Sequence, residues 1–200
     1  MNGIYAILDE NNFNFNSLDV YVEKMIKCHI RIFQIRIKST VSDNHISIIK
    51  KIKKLCELNN CLLILNDYPQ IVKKLNLDGV HIGSNDTNLI EARNILGDNK
   101  IIGVSCYNNA NLALSAEKNG ASYISFGSMF KTTTKKNPVA LDINTIHEGK
   151  KILTIPICLI GGININNVHN AINLNCDLIA LSKGLTSLKM IEDVSKKYYE

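Results

Sequence analysis

The sequence predicts an α/β protein of (β/α)8 TIM-barrel architecture, and three observations carry that prediction. Short β-rich apolar runs alternate with longer amphipathic stretches along the chain, the pair recurs eight times, and no composition shift or long linker divides the 200 residues. Alternation of this kind implies parallel βα units. A count of eight favours closure into a barrel over an open doubly wound sheet. The expectation is one barrel domain over residues 1–200, at the small end of that fold's range, so nearly every loop has to be short.

Strands are expected at residues 3–8, 31–37, 61–66, 78–82, 100–104, 122–126, 156–160 and 178–182, each rich in Ile, Leu or Val. Helices are expected at 18–28, 43–59, 69–76, 87–96, 110–119, 141–150, 165–174 and 186–198. The second shows the pattern well, with Ile46, Ile49, Ile52, Leu55 and Cys56 at helical spacing. Ser17, Asp43 and either Asp86 or Thr87 are the expected N-caps of the first, second and fourth helices. Gly97 and Gly120 close helices, and Pro156 opens the seventh strand. The longest irregular stretch, 127–140, is the natural place for substrate contacts.

Composition excludes several classes. Hydrophobic residues are 46% and charged residues 20%, which is ordinary for a folded protein and far from a disordered one. The net charge of +5 rests largely on lysines in helical stretches, such as Lys50, Lys51, Lys53 and Lys54. No aromatic residues are interleaved with them as a base-stacking platform requires, so they read as a solvated face and no nucleic-acid partner is expected. The six cysteines never form a Cys-x-x-Cys pair and argue for neither zinc nor a redox couple. Neither a cationic leader before an apolar run nor an apolar stretch of membrane-spanning length is present, so a cytoplasmic protein without a membrane partner is expected. The sequence allows a homo-oligomer without specifying one.

Polar residues collect where a barrel places its chemistry, at the C-terminal ends of the strands. Strand two ends in Gln34-Ile35-Arg36-Ile37-Lys38, whose alternation sends three polar side chains to one face and two isoleucines to the other. Strand three ends in Asn66-Asp67, and strand four is followed by Gly83-Ser84-Asn85-Asp86. Asp67 and Asp86 offer hard oxygen ligands from two neighbouring loops, which suits Mg2+ shared with substrate phosphates; Asp86 could equally cap a helix. The loop after strand six, with Lys131, Thr132, Thr133, Thr134 and Lys135, has the composition of a phosphate receptor, and equally of a solvated loop. Gly161-Gly162 after strand seven and Ser182-Lys183-Gly184 after strand eight provide backbone amides for a second anion. Two anion sites predict two phosphorylated small-molecule substrates, or one phosphorylated at both ends. Among the histidines, His81 lies within a strand and reads as a hydrogen-bonded core residue. No nucleophilic triad can be assembled.

These segments, together with Gly79-Val80-His81-Ile82-Gly83, Gly103-Val104-Ser105 and Ile160-Gly161-Gly162-Ile163, resemble the thiamine-phosphate synthase family and its thiazole tautomerase relatives over nearly the whole chain. The resemblance implies a Mg2+-dependent transferase that joins an aminopyrimidine diphosphate to a thiazole phosphate and releases pyrophosphate. It implies that Gln34, Ile35, Arg36, Ile37, Lys38, Asn66, Ser105 and Lys135 line the pyrimidine diphosphate site, with Arg36, Lys38, Ser105 and Lys135 carrying catalysis. Asp67 and Asp86 would hold the metal, and Thr132, Thr133, Thr134, Gly162, Ser182 and Lys183 would receive the thiazole phosphate. The chain departs from the family pattern at Ser84, where Gln is usual, at Ser128, where Pro is usual, and at Tyr107, where His is common. Two alternatives stand beside the synthase: a thiazole tautomerase, against which the missing histidine at Tyr107 counts, and a barrel that binds thiazole or thiamine phosphate without turnover.

Overall fold

The computed structural model describes residues 1–83, 88–130 and 141–199. Eight parallel strands close in sequence order into a barrel. They are β1 (Gly3–Asp9), β2 (Ile32–Arg36), β3 (Leu62–Asn66), β4 (Gly79–Ile82), β5 (Ile101–Tyr107), β6 (Tyr123–Phe126), β7 (Ile157–Ile160) and β8 (Leu178–Leu181). The helices are α1 (Leu18–Lys27), α2 (Asp43–Leu58), α3 (Pro69–Leu75), α4 (Leu89–Leu96), α5 (Ala110–Lys118), α6 (Ile143–Ile152), α7 (Val168–Ile172) and α8 (Leu188–Tyr199). None of the described helices is long and apolar enough to cross a membrane.

Both faces of each strand are covered, which is why the strands read as nearly continuous apolar runs. Residues facing the helices form the larger core, where Ile35, Ile37, Leu63, Val80, Ile102, Ile124 and Leu159 meet helix residues such as Val22, Ile49, Ile52, Ile146 and Val194. Inside the barrel a smaller cluster of Tyr5, Ile7, Ile32, Ile64, Tyr123, Cys158, Leu178 and Ala180 fills the centre. Closure is continuous in register: Tyr5 pairs with Ile32 on one side and with Ala180 on the other.

Gly103 on β5 explains how two tyrosines fit there. A Cβ at this position would lie 2.0 Å from Cζ and 2.3 Å from the hydroxyl oxygen of Tyr123. The missing side chain on one strand is thus filled by the phenol of the next.

Local chemistry corrects several expected helix starts. Ser17 stands at the N-cap of α1 as expected but makes no side-chain capping bond, since it also ends a 3-10 turn, Phe15–Ser17, whose own cap is Asn14. Asp43 is the first residue of α2 rather than its cap, and Ser42 caps it in a reciprocal box with His45. Asn88 caps α4 through Ile90 N–H at 2.9 Å; Asp86 and Thr87 lie outside the described residues. The helix expected over 165–174 contracts to α7 because asparagine side chains take the backbone donors: Asn167 Oδ1 accepts from Asn164 N–H at 2.8 Å and Asn164 Oδ1 from Asn166 N–H at 2.9 Å. Gly97 and Gly120, both at positive φ, end α4 and α5 as expected.

Candidate active site

At the end of β1, Asp9 is 2% exposed and accepts from the Arg36 guanidinium at the end of β2. The Asn11 backbone and side-chain amides also donate to Asp9, at 2.9 and 3.1 Å. A carboxylate buried this deeply needs such partners, and they hold Arg36 at the barrel mouth. One strand further on, Lys38 Nζ meets Asp67 Oδ2 at 3.0 Å, and Asn66 Nδ2 donates to the same oxygen at 2.6 Å. Asp67 and Tyr68 both take left-handed backbone (φ 61° and 56°), which turns the chain sharply at the top of β3.

Glu10 fixes the segment that carries Lys38. Its carboxylate accepts from the Lys38 amide, from the Ser39 amide at 2.6 Å and from the Ser39 hydroxyl at 2.7 Å. Burial alone pushes the Glu10 carboxyl up, but these hydrogen bonds and the nearby His45 outweigh it and hold it below the usual carboxylate range.

Across the mouth, Gly161 and Gly162 have φ of 111° and 67°, and a Cβ on Gly161 would lie 2.4 Å from Ser128 Oγ. Only glycine fits that bend against the β6 loop. At the end of β8, Ser182 Oγ accepts from Asn12 Nδ2 at 2.9 Å, tying the β1 loop to β8. A cavity of about 520 Å³ opens between these ends, lined among others by Arg36, Ser105, Gly162, Ser182 and Lys183. Five residues singled out in the sequence, spread over nearly 150 positions, thus surround one space.

The remaining expected residues are placed as follows. Gln34 is 3% exposed inside the barrel and donates to Tyr5 Oη at 2.6 Å. Ile35 and Ile37, 0% and 1% exposed, belong to the core beneath the helices, so only their backbone is on offer at the mouth. Asn66 and Asp67 stand with Lys38 at the adjoining rim. Asp86, Thr132, Thr133, Thr134 and Lys135 lie outside the described residues. Among the described residues no group of three or more His, Cys, Asp or Glu side chains gathers as a metal cluster. His81 is the hydrogen-bonded core histidine expected, 9% exposed and bonded to Tyr123 and Ser105.

Sequence reasoning missed Asp9, Tyr5 and Tyr123. Asp9 carried a readable signal, a carboxylate closing an apolar strand. The two tyrosines carried none, because each reads as one more bulky residue in a strand.

Fold and site together define a (β/α)8 barrel whose mouth carries Arg36 and Lys38 at the end of β2 and glycines at the ends of β7 and β8. The sequence matches the family model described as thiamine monophosphate synthase over residues 4–185. The chain belongs to that family. It is 35% identical over 198 residues to the thiamine-phosphate synthase of Nitrosomonas eutropha, covering 99% of this chain and 93% of that one. With the thiamine-phosphate synthase of Pelagibacter ubique it shares 41% identity over 179 residues, covering 90% and 86%. Among solved structures, thiamine phosphate pyrophosphorylase from Pyrococcus furiosus superposes with a TM-score of 0.83 at 25% identity, covering 98% of this chain and 96% of that one.

Proposed function

We propose that this chain condenses 4-amino-2-methyl-5-(diphosphooxymethyl)pyrimidine with thiazole phosphate, giving thiamine phosphate and pyrophosphate, as a Mg2+-dependent single-domain enzyme of thiamine biosynthesis in the cytoplasm. The observation that supports it most is the opposition, across one cavity, of Arg36 to the glycine and Ser182-Lys183 ends of β7 and β8.

The chemistry asks for little else. The bond between the pyrimidine methylene and the diphosphate oxygen breaks, its electron pair leaves with pyrophosphate, and the thiazole nitrogen supplies the pair for the new C–N bond. Arg36 and Lys38 neutralise charge growing on the departing diphosphate and the Ser105 hydroxyl hydrogen-bonds to it; Lys135, outside the described residues, is the proposed third cation. Gly162, Ser182 and Lys183, with Thr132, Thr133 and Thr134, anchor the thiazole phosphate and hold its nitrogen in line. Gln34 and Asn66 orient the pyrimidine diphosphate. No nucleophilic side chain is required.

The donor set suits Mg2+. The ion is usually held by one or two carboxylates together with substrate phosphates and water; Asp67 at the rim is one such carboxylate, and Asp86, outside the described residues, is the proposed second. Bound there, Mg2+ would supply further neutralisation of the leaving diphosphate. Lys38, now paired with Asp67, would then be free to turn to the anion.

The test is direct. Purified protein with Mg2+ and both substrates is expected to form thiamine phosphate and pyrophosphate in equal amounts, and absence of product with both substrates verified would overturn the reading. Asp67→Asn is expected to abolish synthesis; a barrel that only binds phosphate ligands would keep its affinity nearly unchanged.

A further inference from the structure

Five side chains from five strands make one hydrogen-bonded line through the barrel. Gln34 Nε2 donates to Tyr5 Oη at 2.6 Å, and Tyr5 Oη lies 2.9 Å from Tyr123 Oη. Tyr123 Oη lies 2.8 Å from His81 Nδ1, and His81 Nε2 lies 3.0 Å from Ser105 Oγ. Gln34, Tyr5 and Tyr123 are 3%, 1% and 0% exposed. Buried polar groups are costly unless satisfied, and each member of this line has a partner within it.

The line has a direction. An amide nitrogen only donates, so Tyr5 accepts from Gln34; Tyr5 is 1% exposed, and if Tyr123 also donated to it the buried Tyr5 O–H would be left unsatisfied, so Tyr5 gives its own proton to Tyr123. Tyr123 then gives its proton to His81 Nδ1, which must be bare. A neutral imidazole with a bare Nδ1 carries its proton on Nε2, and that proton goes to Ser105 Oγ. Ser105 therefore receives from below, and its single O–H is left to point elsewhere. Its elsewhere is the cavity shared with Arg36. Burial drives both phenols well above their ordinary pKa, so neither proton is lost at any pH the protein meets. The imidazole plane is steadied by the Tyr123 ring, with centroids 5.6 Å apart and planes 29° apart.

We propose that Tyr5, Tyr123 and His81 are positioning residues that hold His81 in its Nε2–H form and so present the Ser105 hydroxyl as a donor to the substrate's diphosphate. This rests on the reading of the mouth as a diphosphate site. Reversing Ser105 would require every bond in the line to reverse, down to turning over the Gln34 amide.

Two measurements on the full chain test this. Nitrogen-15 NMR of histidine-labelled protein, with the His81 signals identified by their loss in His81→Gln, is expected to show Nε2 protonated and Nδ1 bare at neutral pH; a protonated Nδ1 overturns the proposal and needs no folded tyrosine variant. Calorimetric titration with pyrophosphate in excess Mg2+ is expected to show about tenfold weaker binding for Tyr123→Phe and at least that for Ser105→Ala. The double variant is expected to bind no more weakly than Ser105→Ala, because Tyr123 acts through Ser105. Additive losses, or no loss in either single variant, overturn the proposal. Absence of thiamine phosphate synthesis alongside a non-additive pyrophosphate cycle would instead overturn the synthase reading and leave the line standing.

Discussion

Gly103→Ala puts the smallest side chain into the most crowded place in the barrel, and its cost can be worked from the coordinates. The new Cβ would stand 2.0 Å from Tyr123 Cζ and 2.4 Å from Cε1. Carbon atoms rest at about 3.5–4 Å, so the ring has to retreat by about 1.5 Å. Tyr123 bridges Tyr5 at 2.9 Å and His81 at 2.8 Å, and a shift of that size breaks both bonds. Overpacking and two lost buried hydrogen bonds together cost about 2–5 kcal/mol. For a chain of this length that lowers the Tm by roughly 5–20 °C. Urea denaturation and calorimetry measure both quantities. In a Tyr123→Leu background the ring is gone, and the cost of Gly103→Ala is expected to fall by at least about 1 kcal/mol. A Gly103→Ala protein within about 0.5 kcal/mol of the parent, or the same loss in both backgrounds, would refute the packing argument.

Arg36→Lys keeps the charge but loses the fork that meets both Asp9 and an anion, and is expected to weaken pyrophosphate binding about tenfold in calorimetric titration. Glu10→Gln is expected to loosen the Lys38-Ser39 segment and raise the KM for the pyrimidine diphosphate with little change in kcat at saturation, as steady-state assays would show. The Glu10 carboxyl is held below its unfolded value, so its contribution to stability is fully present above a pH of about 4.3 and is lost as pH falls through the lower folded value. Denaturation midpoints across acid pH should therefore fall more steeply in the parent than in Glu10→Gln. Buried Cys56 and Cys106, whose thiols burial pushes up to about 12, are expected to resist a thiol-disulfide reagent in the native state and to react on unfolding, as timed labelling will reveal.

The barrel was legible because parallel strands covered on both faces read as short apolar runs, and eight of them alternating with amphipathic segments leave few topologies open. Helix ends were less legible. Asp43 and the start of α7 were misjudged because Ser, Asp and Asn side chains compete for the same backbone donors within a few residues, and the winner depends on the turn that precedes the helix. In the site, Arg36, Lys38, Asn66 and Asp67 were readable as polar residues closing apolar strands. Tyr5 and Tyr123 were not, since alternation tells that successive residues face opposite ways but not which way is inward. Their bond joins positions 118 apart in sequence and exists only once β1 and β6 face each other inside the closed barrel.

The β2 cations and the β3 rim are expected to receive the diphosphate, and the β7 and β8 ends the other phosphate. A crystal structure with pyrophosphate and Mg2+ tests this most directly. Pyrophosphate oxygens against Arg36, Lys38 and Ser105, with the metal on Asp67, are expected. Pyrophosphate confined to Gly161, Gly162, Ser182 and Lys183, or bound away from the mouth altogether, would contradict it.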